Sequence, residues 1–233
     1  WDGRKMWGEI ITQSRNVVRT ASTWTNDDEA LEELVIATWL FPRSIMNQLS
    51  GPDDDDDFRE ELRKQFGEDF DSASFVSRLM LAPDKSFAAL MNLSLAVKAL
   101  SIDEQRRIEI DKSLVELGDT LGACERIFTA PVPLVYTRHT ARFLGVWMLL
   151  LPFAMYEDFA KTSDLALPLV PAAAMLALFM FGIEELSIQL EEPFSILPMQ
   201  RFCNSILRAG NGLRDWSVES RAINKQKETT LVE

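Results

Sequence analysis

Two acidic segments are the first candidates for ion chemistry. Residues 184–192 read EELSIQLEE. At helical spacing Glu185, Gln189 and Glu192 share one face, and Glu184, Ile188 and Glu191 the next. Two readings fit them: a polar cap where an apolar helix ends, or a site for an ion or a partner. Composition does not separate the two. The second segment is the run Asp53–Asp57, five consecutive aspartates after Gly51-Pro52. Calcium loops space their ligands at alternate positions, whereas consecutive like charges are solvated, so the run reads as a loop without metal. His139 is the single histidine. That excludes a histidine-rich metal site, and no Glu-x-x-His pair exists for a di-iron bundle. There is no Walker loop, no G-x-S-x-G and no G-x-G-x-x-G. The sequence therefore offers no catalytic residues, no cofactor and no metal, and the expectation is a protein that is not an enzyme.

The elements that must position these groups are apolar. Residues 165–183 (LALPLVPAAAMLALFMFGI) run 19 positions without a charge, and 143–156 (FLGVWMLLLPFAMY) run 14. A helix rises about 1.5 Å per residue, so the longer run reaches across roughly 30 Å of hydrocarbon. Fourteen residues is also the length of a buried core helix, and Pro152, Pro168 and Pro171 interrupt the runs. Membrane helices tolerate proline because neighbouring helices satisfy the freed carbonyls. Eight residues, 157–164, connect the runs, which together read as an antiparallel membrane hairpin. Arg138 and Arg142 precede the first run, while the connection holds Glu157, Asp158 and Asp164 against Lys161. The positive-inside tendency then places 138–142 on the cytoplasmic side or its equivalent and the hairpin tip opposite.

The rest of the chain is charged and patterned as helix. Charged residues make up 26% of the 233, and the formal net charge is −12. That balance argues against nucleic acid as a partner, since such proteins present a basic face. Cys124 and Cys203 are too few and too far apart for a disulfide framework and read as reduced, small apolar residues. No signal or transit peptide is visible, and the chain opens on Trp1. Residues 1–24 are amphipathic. A cap at 26–28 predicts a helix over about 28–41, ended by Pro42. Further helices are expected at 58–66, 72–81, 84–100 and 103–128, with few strand signals. The fold class is all-α.

The order PVPLVYT at 131–137, the hairpin, then IEELSIQLEEPF at 183–194 closely resembles the bestrophin and bestrophin-like channels. LGACERI at 121–127 and RKMWGEIITQSRN at 4–16 are similar to further family segments, so the resemblance covers about 1–210. It implies an all-helical subunit of a homopentamer with a central pore that conducts chloride or related anions, bicarbonate among them, through a lipid bilayer. It also implies that two N-terminal transmembrane helices, one lining the pore neck, precede this segment. Animal members follow the Pro-Phe pair with an acidic calcium clasp. Here Pro193-Phe194 is followed by SILPMQRFC, with no acid, which points to the bacterial and plastid branch and to no bound metal.

The family also has a lower, aqueous constriction. Counting back from Cys124 places it near Gln105, Arg106, Arg107 and Ile108, where arginines repeated once per subunit favour anions. Taken residue by residue, Arg106 and Arg107 fit an ordinary solvated helix surface better than a pore ring. In the resemblance, Glu184, Glu185, Glu191 and Glu192 become a pore-mouth segment. The implied organisation is a cytosolic or stromal helical region at 1–130, the transmembrane hairpin and its extension at 131–192, and a C-terminal cytosolic segment and tail at 193–233. The implied membrane is the plastid thylakoid or the plasma membrane. Two alternatives remain: a cation-conducting member of the same fold, suggested by the net charge, and a non-conducting membrane-tethered helical scaffold.

Overall fold

The apolar spacing of residues 7–21 produces the first element. Trp7, Ile10, Ser14, Val17, Val18 and Ala21 recur every three or four positions and are all buried, on one face of α1 (Asp2–Trp24). The computed structural model of the chain describes residues 2–51, 54–66, 74–129, 134–161, 167–191, 194 and 197–232. Among these residues eight more helices follow: α2 (Asp28–Ser50), α3 (Asp55–Phe66), α4 (Ser74–Leu81), α5 (Lys85–Ala99), α6 (Glu104–Thr129), α7 (Leu134–Ala160), α8 (Leu169–Glu191) and α9 (Met199–Val232). Among the described residues there is no strand. The chain divides into two compact units, Trp1–Arg126 with Leu197–Glu233, and Ile127–Ile196.

The first unit is built around α2. Asp27 caps it, accepting the Ala30 N–H at 3.0 Å. The helix does not stop at Pro42 as expected but continues to Ser50, where Gly51 closes it at φ 80°. The reason is burial on every side: from Leu34 to Asn47 all but one residue is buried, among α1, α5 and α9. Tertiary packing here outweighs the roughly 3 kcal/mol that an interior proline costs an isolated helix.

α9 approaches α2 most closely at Gly210. A Cβ built there would lie 2.9 Å from Val35 Cγ1. Val35 is 2% exposed and β-branched, so it has little room to yield. Gly210→Ala is therefore expected to destabilise the unit by about 1–3 kcal/mol, as overpacking does. A thermal melt equal to the parent protein would show that α9 can slide off α2 without cost. Trp7 of α1 and Phe202 of α9 close the layer, with ring centroids 5.8 Å apart.

The described part of the aspartate run is helical rather than loop, with Asp56 and Asp57 exposed. Asp55, Asp56 and Asp57 form the first turn of α3, where a helix dipole favours acids. Asp54 binds Arg43, and Asp55 accepts from Lys85 Nζ at 2.6 Å and from Asn47 Nδ2 at 2.9 Å. Asp53 lies outside the described residues. The Lys85 hydrogen bond, with Asn47 second, holds the Asp55 carboxyl below its ordinary value of 3.8. A depressed carboxylate adds stability that is complete above the unfolded value and is lost as pH falls through the folded one. Acid is thus expected to weaken the α2–α3–α5 corner only below about pH 4, and by a small amount, since Asp55 is 38% exposed. Asp55→Asn should flatten that low-pH slope in a melt series; an unchanged slope would assign it to other acids.

The second unit is the helix pair α7 and α8. α7 extends the 14-residue apolar run to 27 residues and carries Pro152 inside it. Pro171 falls in the first turn of α8, where its missing N–H has no helical partner to lose. Ala172 N–H donates to the Pro168 carbonyl at 3.3 Å at that helix start. Residues 165 and 166, with which the second run was expected to begin, lie outside the described residues.

Candidate functional site

Three places gather the residues singled out by sequence: the start of α6, the surfaces of α7 and α8, and the end of α8.

Asp103 starts α6, its carboxylate accepting the Gln105 N–H at 3.0 Å. The four residues that follow Glu104 then point in different directions. Gln105 is exposed and Ile108 is 54% exposed, one turn apart on the outer face. Arg106 is half-buried; its guanidinium carbon lies 3.0 Å from the centroid of the Trp24 ring, and its Nε is 3.4 Å from Asp103. Arg107 turns backward. Its Nη2 donates to the carbonyls of Leu100 at 3.2 Å and Ile102 at 3.4 Å, just past the end of α5, and its Nη1 is 3.5 Å from Glu104. Arg107 is thus a clasp between α5 and α6. Gln105, Arg106 and Ile108 line one groove of about 460 Å³ with Thr20, Trp24 and Glu109, and Arg107 is not among its lining residues. Trp24 and Thr20 escaped the sequence reading. The only signal was a tryptophan ending an amphipathic helix on its polar side, at 47% exposure.

The apolar surfaces of α7 and α8 face outward. Phe143, Leu149 and Phe153 are 64%, 70% and 77% exposed on α7, and Val170 and Leu178 are 70% and 72% exposed on α8. The spans Arg138–Ala160 and Leu169–Ser187 are long and apolar enough to cross a membrane, and 6% of each apolar window is buried. A core helix of a soluble protein would be mostly covered, so that reading of the 14-residue run is removed. His139 lies exposed near the start of α7.

At the end of α8, Glu184 is half-buried and Glu185 exposed. Glu191 is the last residue of α8, its side chain outside the described set, and Glu192 and Pro193 lie outside it entirely. Among the described residues no group of three or more His, Cys, Asp or Glu side chains is arranged to hold a metal. Cys124 and Cys203 are both buried and unpaired. Burial pushes each thiol up to about 12, which leaves almost no thiolate at neutral pH.

A profile of the bacterial and fungal bestrophin proteins matches residues 1–210. The chain belongs to the bestrophin family. It is 26% identical over 230 residues to voltage-dependent chloride channel 2, chloroplastic, of Arabidopsis thaliana, across 97% of this chain and 52% of that protein. It is 29% identical over 235 residues to a voltage-dependent anion channel-forming protein of Nostoc sp., across 95% of this chain and 72% of that one. The chain thus spans about half the length of the plant relatives it matches. A crystal structure of a bestrophin homologue from Klebsiella pneumoniae superposes on this bestrophin with a TM-score of 0.78 at 23% identity, over 91% of this chain and 77% of that chain. At that identity the match establishes the all-helical bestrophin fold.

Proposed function

We propose that this bestrophin is the pore-forming subunit of a homopentameric channel that conducts chloride and related small anions, bicarbonate included, across a membrane. The carrying observation is the pair of outward-facing apolar helices, α7 and α8, in a chain whose relatives are named anion channels. Without lipid around them their surfaces would be an unmanageable apolar patch. A second apolar stripe, Phe87, Met91 and Leu95, stands 63%, 56% and 49% exposed along α5. It suits the subunit contacts of a pentamer. The exposed Gln105 and Ile108 form the aqueous aperture, with the Arg106 charge set behind them and Arg107 fixing the helix that carries them. Glu184, Glu185, Glu191 and Glu192 belong to the pore-mouth segment. The organisation of 1–130, 131–192 and 193–233 as cytosolic or stromal region, hairpin and tail is part of this proposal, as is a plastid thylakoid or plasma membrane setting.

The test is the reversal potential of the full-length protein in planar bilayers with asymmetric potassium chloride and no added calcium. Reversal near the chloride equilibrium potential supports the proposal. Reversal near the potassium potential supports cation conduction, the reading that the net charge of −12 favours. No current at all supports a membrane-tethered scaffold.

Topology is tested separately. Lys161→Cys, at the exposed position just after α7, and Arg208→Cys, on the exposed face of α9, are expected to react with an impermeant maleimide from opposite sides of sealed vesicles. Cys124 and Cys203 stay silent in this assay because both thiols are buried and protonated. Labelling of both new cysteines from one side would overturn the hairpin.

A further inference from the structure

The first turns of α6 carry three ion pairs at one spacing. Asp103 lies 3.4 Å from Arg106, Glu104 3.5 Å from Arg107 and Glu109 2.7 Å from Lys112, each pair three residues apart. Each of these cations has its own acid, so the field in the adjoining groove depends on which member of each pair faces it. The groove of about 460 Å³ is lined by Arg106 of the first pair and by Glu109 of the third. Asp103, Lys112 and both members of the second pair are not among its lining residues. We infer that Glu109 is a selectivity-determining residue of the aperture, opposing Arg106 and admitting cations, with Lys112 as the counter-ion that holds it in check. The inference rests on the proposed reading of this groove as the aqueous aperture of the channel.

Position and charge carry it. Glu109 stands one turn beyond Gln105 and next to Ile108, on the same outer face of α6. Arg106 is turned about 100° away from Gln105 around the helix and is held against the Trp24 ring. The acid therefore shares the face of the aperture residues, and the arginine flanks it. The other lining residues, Thr20, Trp24, Gln105 and Ile108, are uncharged, so one glutamate cancels the formal charge of one arginine in the wall. The Glu109 and Lys112 side chains are 62% and 65% exposed. A pair so exposed adds little to stability. What it decides is the local charge, and both residues can be changed without harm to the fold.

The experiment measures reversal potentials of the full-length protein in planar bilayers with asymmetric potassium chloride near an ionic strength of about 0.1 M, where charges are screened over about 10 Å. Glu109→Gln is expected to raise the anion-to-cation permeability ratio by about threefold, as the loss of one opposing charge per subunit does at a wet site. Lys112→Gln, which frees the Glu109 charge, should lower the ratio by about twofold. In the Glu109→Gln background the same Lys112 change should lower it far less, because its effect runs through Glu109. Asp119→Asn is the control. Asp119 is exposed on the same face of α6 but about 15 Å further along the helix, beyond the screening length, so its loss should leave the ratio unchanged. Arg106→Glu is run beside these variants. A ratio that falls with Arg106→Glu but does not rise with Glu109→Gln overturns the inference and leaves the aperture reading standing. A ratio that neither variant moves overturns both. Equal rises with Glu109→Gln and Asp119→Asn overturn the inference as well, since net surface charge and not the groove would then set the ratio.

Discussion

Arg43→Ala is expected to lower the stability of the helical unit by about 3 kcal/mol, the combined cost of emptying a fully buried side-chain site and of leaving two partly buried acids without their counter-ion. Arg43 is 0% exposed at the centre of α2. Its Nη1 binds Asp54 and its Nε binds Glu61, each at 2.6 Å, and its guanidinium carbon lies 4.7 Å from the Phe58 ring centroid. One side chain therefore fastens α3 to α2, and Gln200 of α9 reaches the other oxygen of Glu61 at 2.8 Å. Burial alone would push the Arg43 guanidinium down, but the hydrogen bonds of Asp54 and Glu61, with their charges, raise it above its ordinary value, so it stays a cation. Lysine cannot replace it: a point charge lacks the fork that serves two carboxylates at once. For a unit of this size the expected loss corresponds to a fall of roughly 10 °C in the thermal midpoint. Removing all three charges, as Arg43→Met with Asp54→Asn and Glu61→Gln, should recover part of that loss, because no uncompensated acid remains. A midpoint within a degree or two of the parent for Arg43→Ala alone would mean that Asp54 and Glu61 reach solvent without it.

How much of this was legible in the sequence differs from place to place for physical reasons. The amphipathic stripe of α1, the cap at Asp27 and the apolar lengths of α7 and α8 are local signals, and each marks an element that the structure contains. Pro42 misleads because its cost is set locally whereas the stability of α2 is set by three helices packed around it. The aspartate run misleads for the same reason. Its partners Arg43 and Lys85 lie 11 and 30 residues away from Asp54 and Asp55, beyond the reach of any pattern within the run. Around α6, counting along the family motif cannot distinguish adjacent arginines. Their roles are decided by Trp24, two helix-ends away in space, and by the carbonyls of Leu100 and Ile102.

Arg106→Glu is expected to lower the anion-to-cation permeability ratio of the channel by about tenfold at low salt, on the proposed reading of the α6 groove. Arg106 is the cation that lines it beside Gln105 and Ile108, and the Trp24 ring beneath fixes where that charge sits. An ion about 4 Å from a unit charge gains roughly 1 kcal/mol in bulk water and roughly 4 at an intermediate effective dielectric. A wet groove belongs near the lower figure, but a pentamer presents the charge five times, and reversal changes the sign of each. Exposed charges are screened over about 10 Å at 0.1 M salt and only about 3 Å at 1 M, so the shift should shrink as salt rises. The single reversal is a cleaner test than a paired reversal with Arg107, because Arg107→Glu would aim a carboxylate at the carbonyls of Leu100 and Ile102 and loosen the α5–α6 corner. Trp24→Ala should move the ratio in the same direction by a smaller amount, since the charge survives but loses its seat, and Trp24→Phe should restore most of it. Folding is monitored by pentamer elution and thermal midpoint, which all three variants should keep. If Arg106→Glu leaves the reversal potential unchanged at both low and high ionic strength, Arg106 is a surface residue stacked on an exposed tryptophan. Anion selectivity would then have to come from another part of the pore.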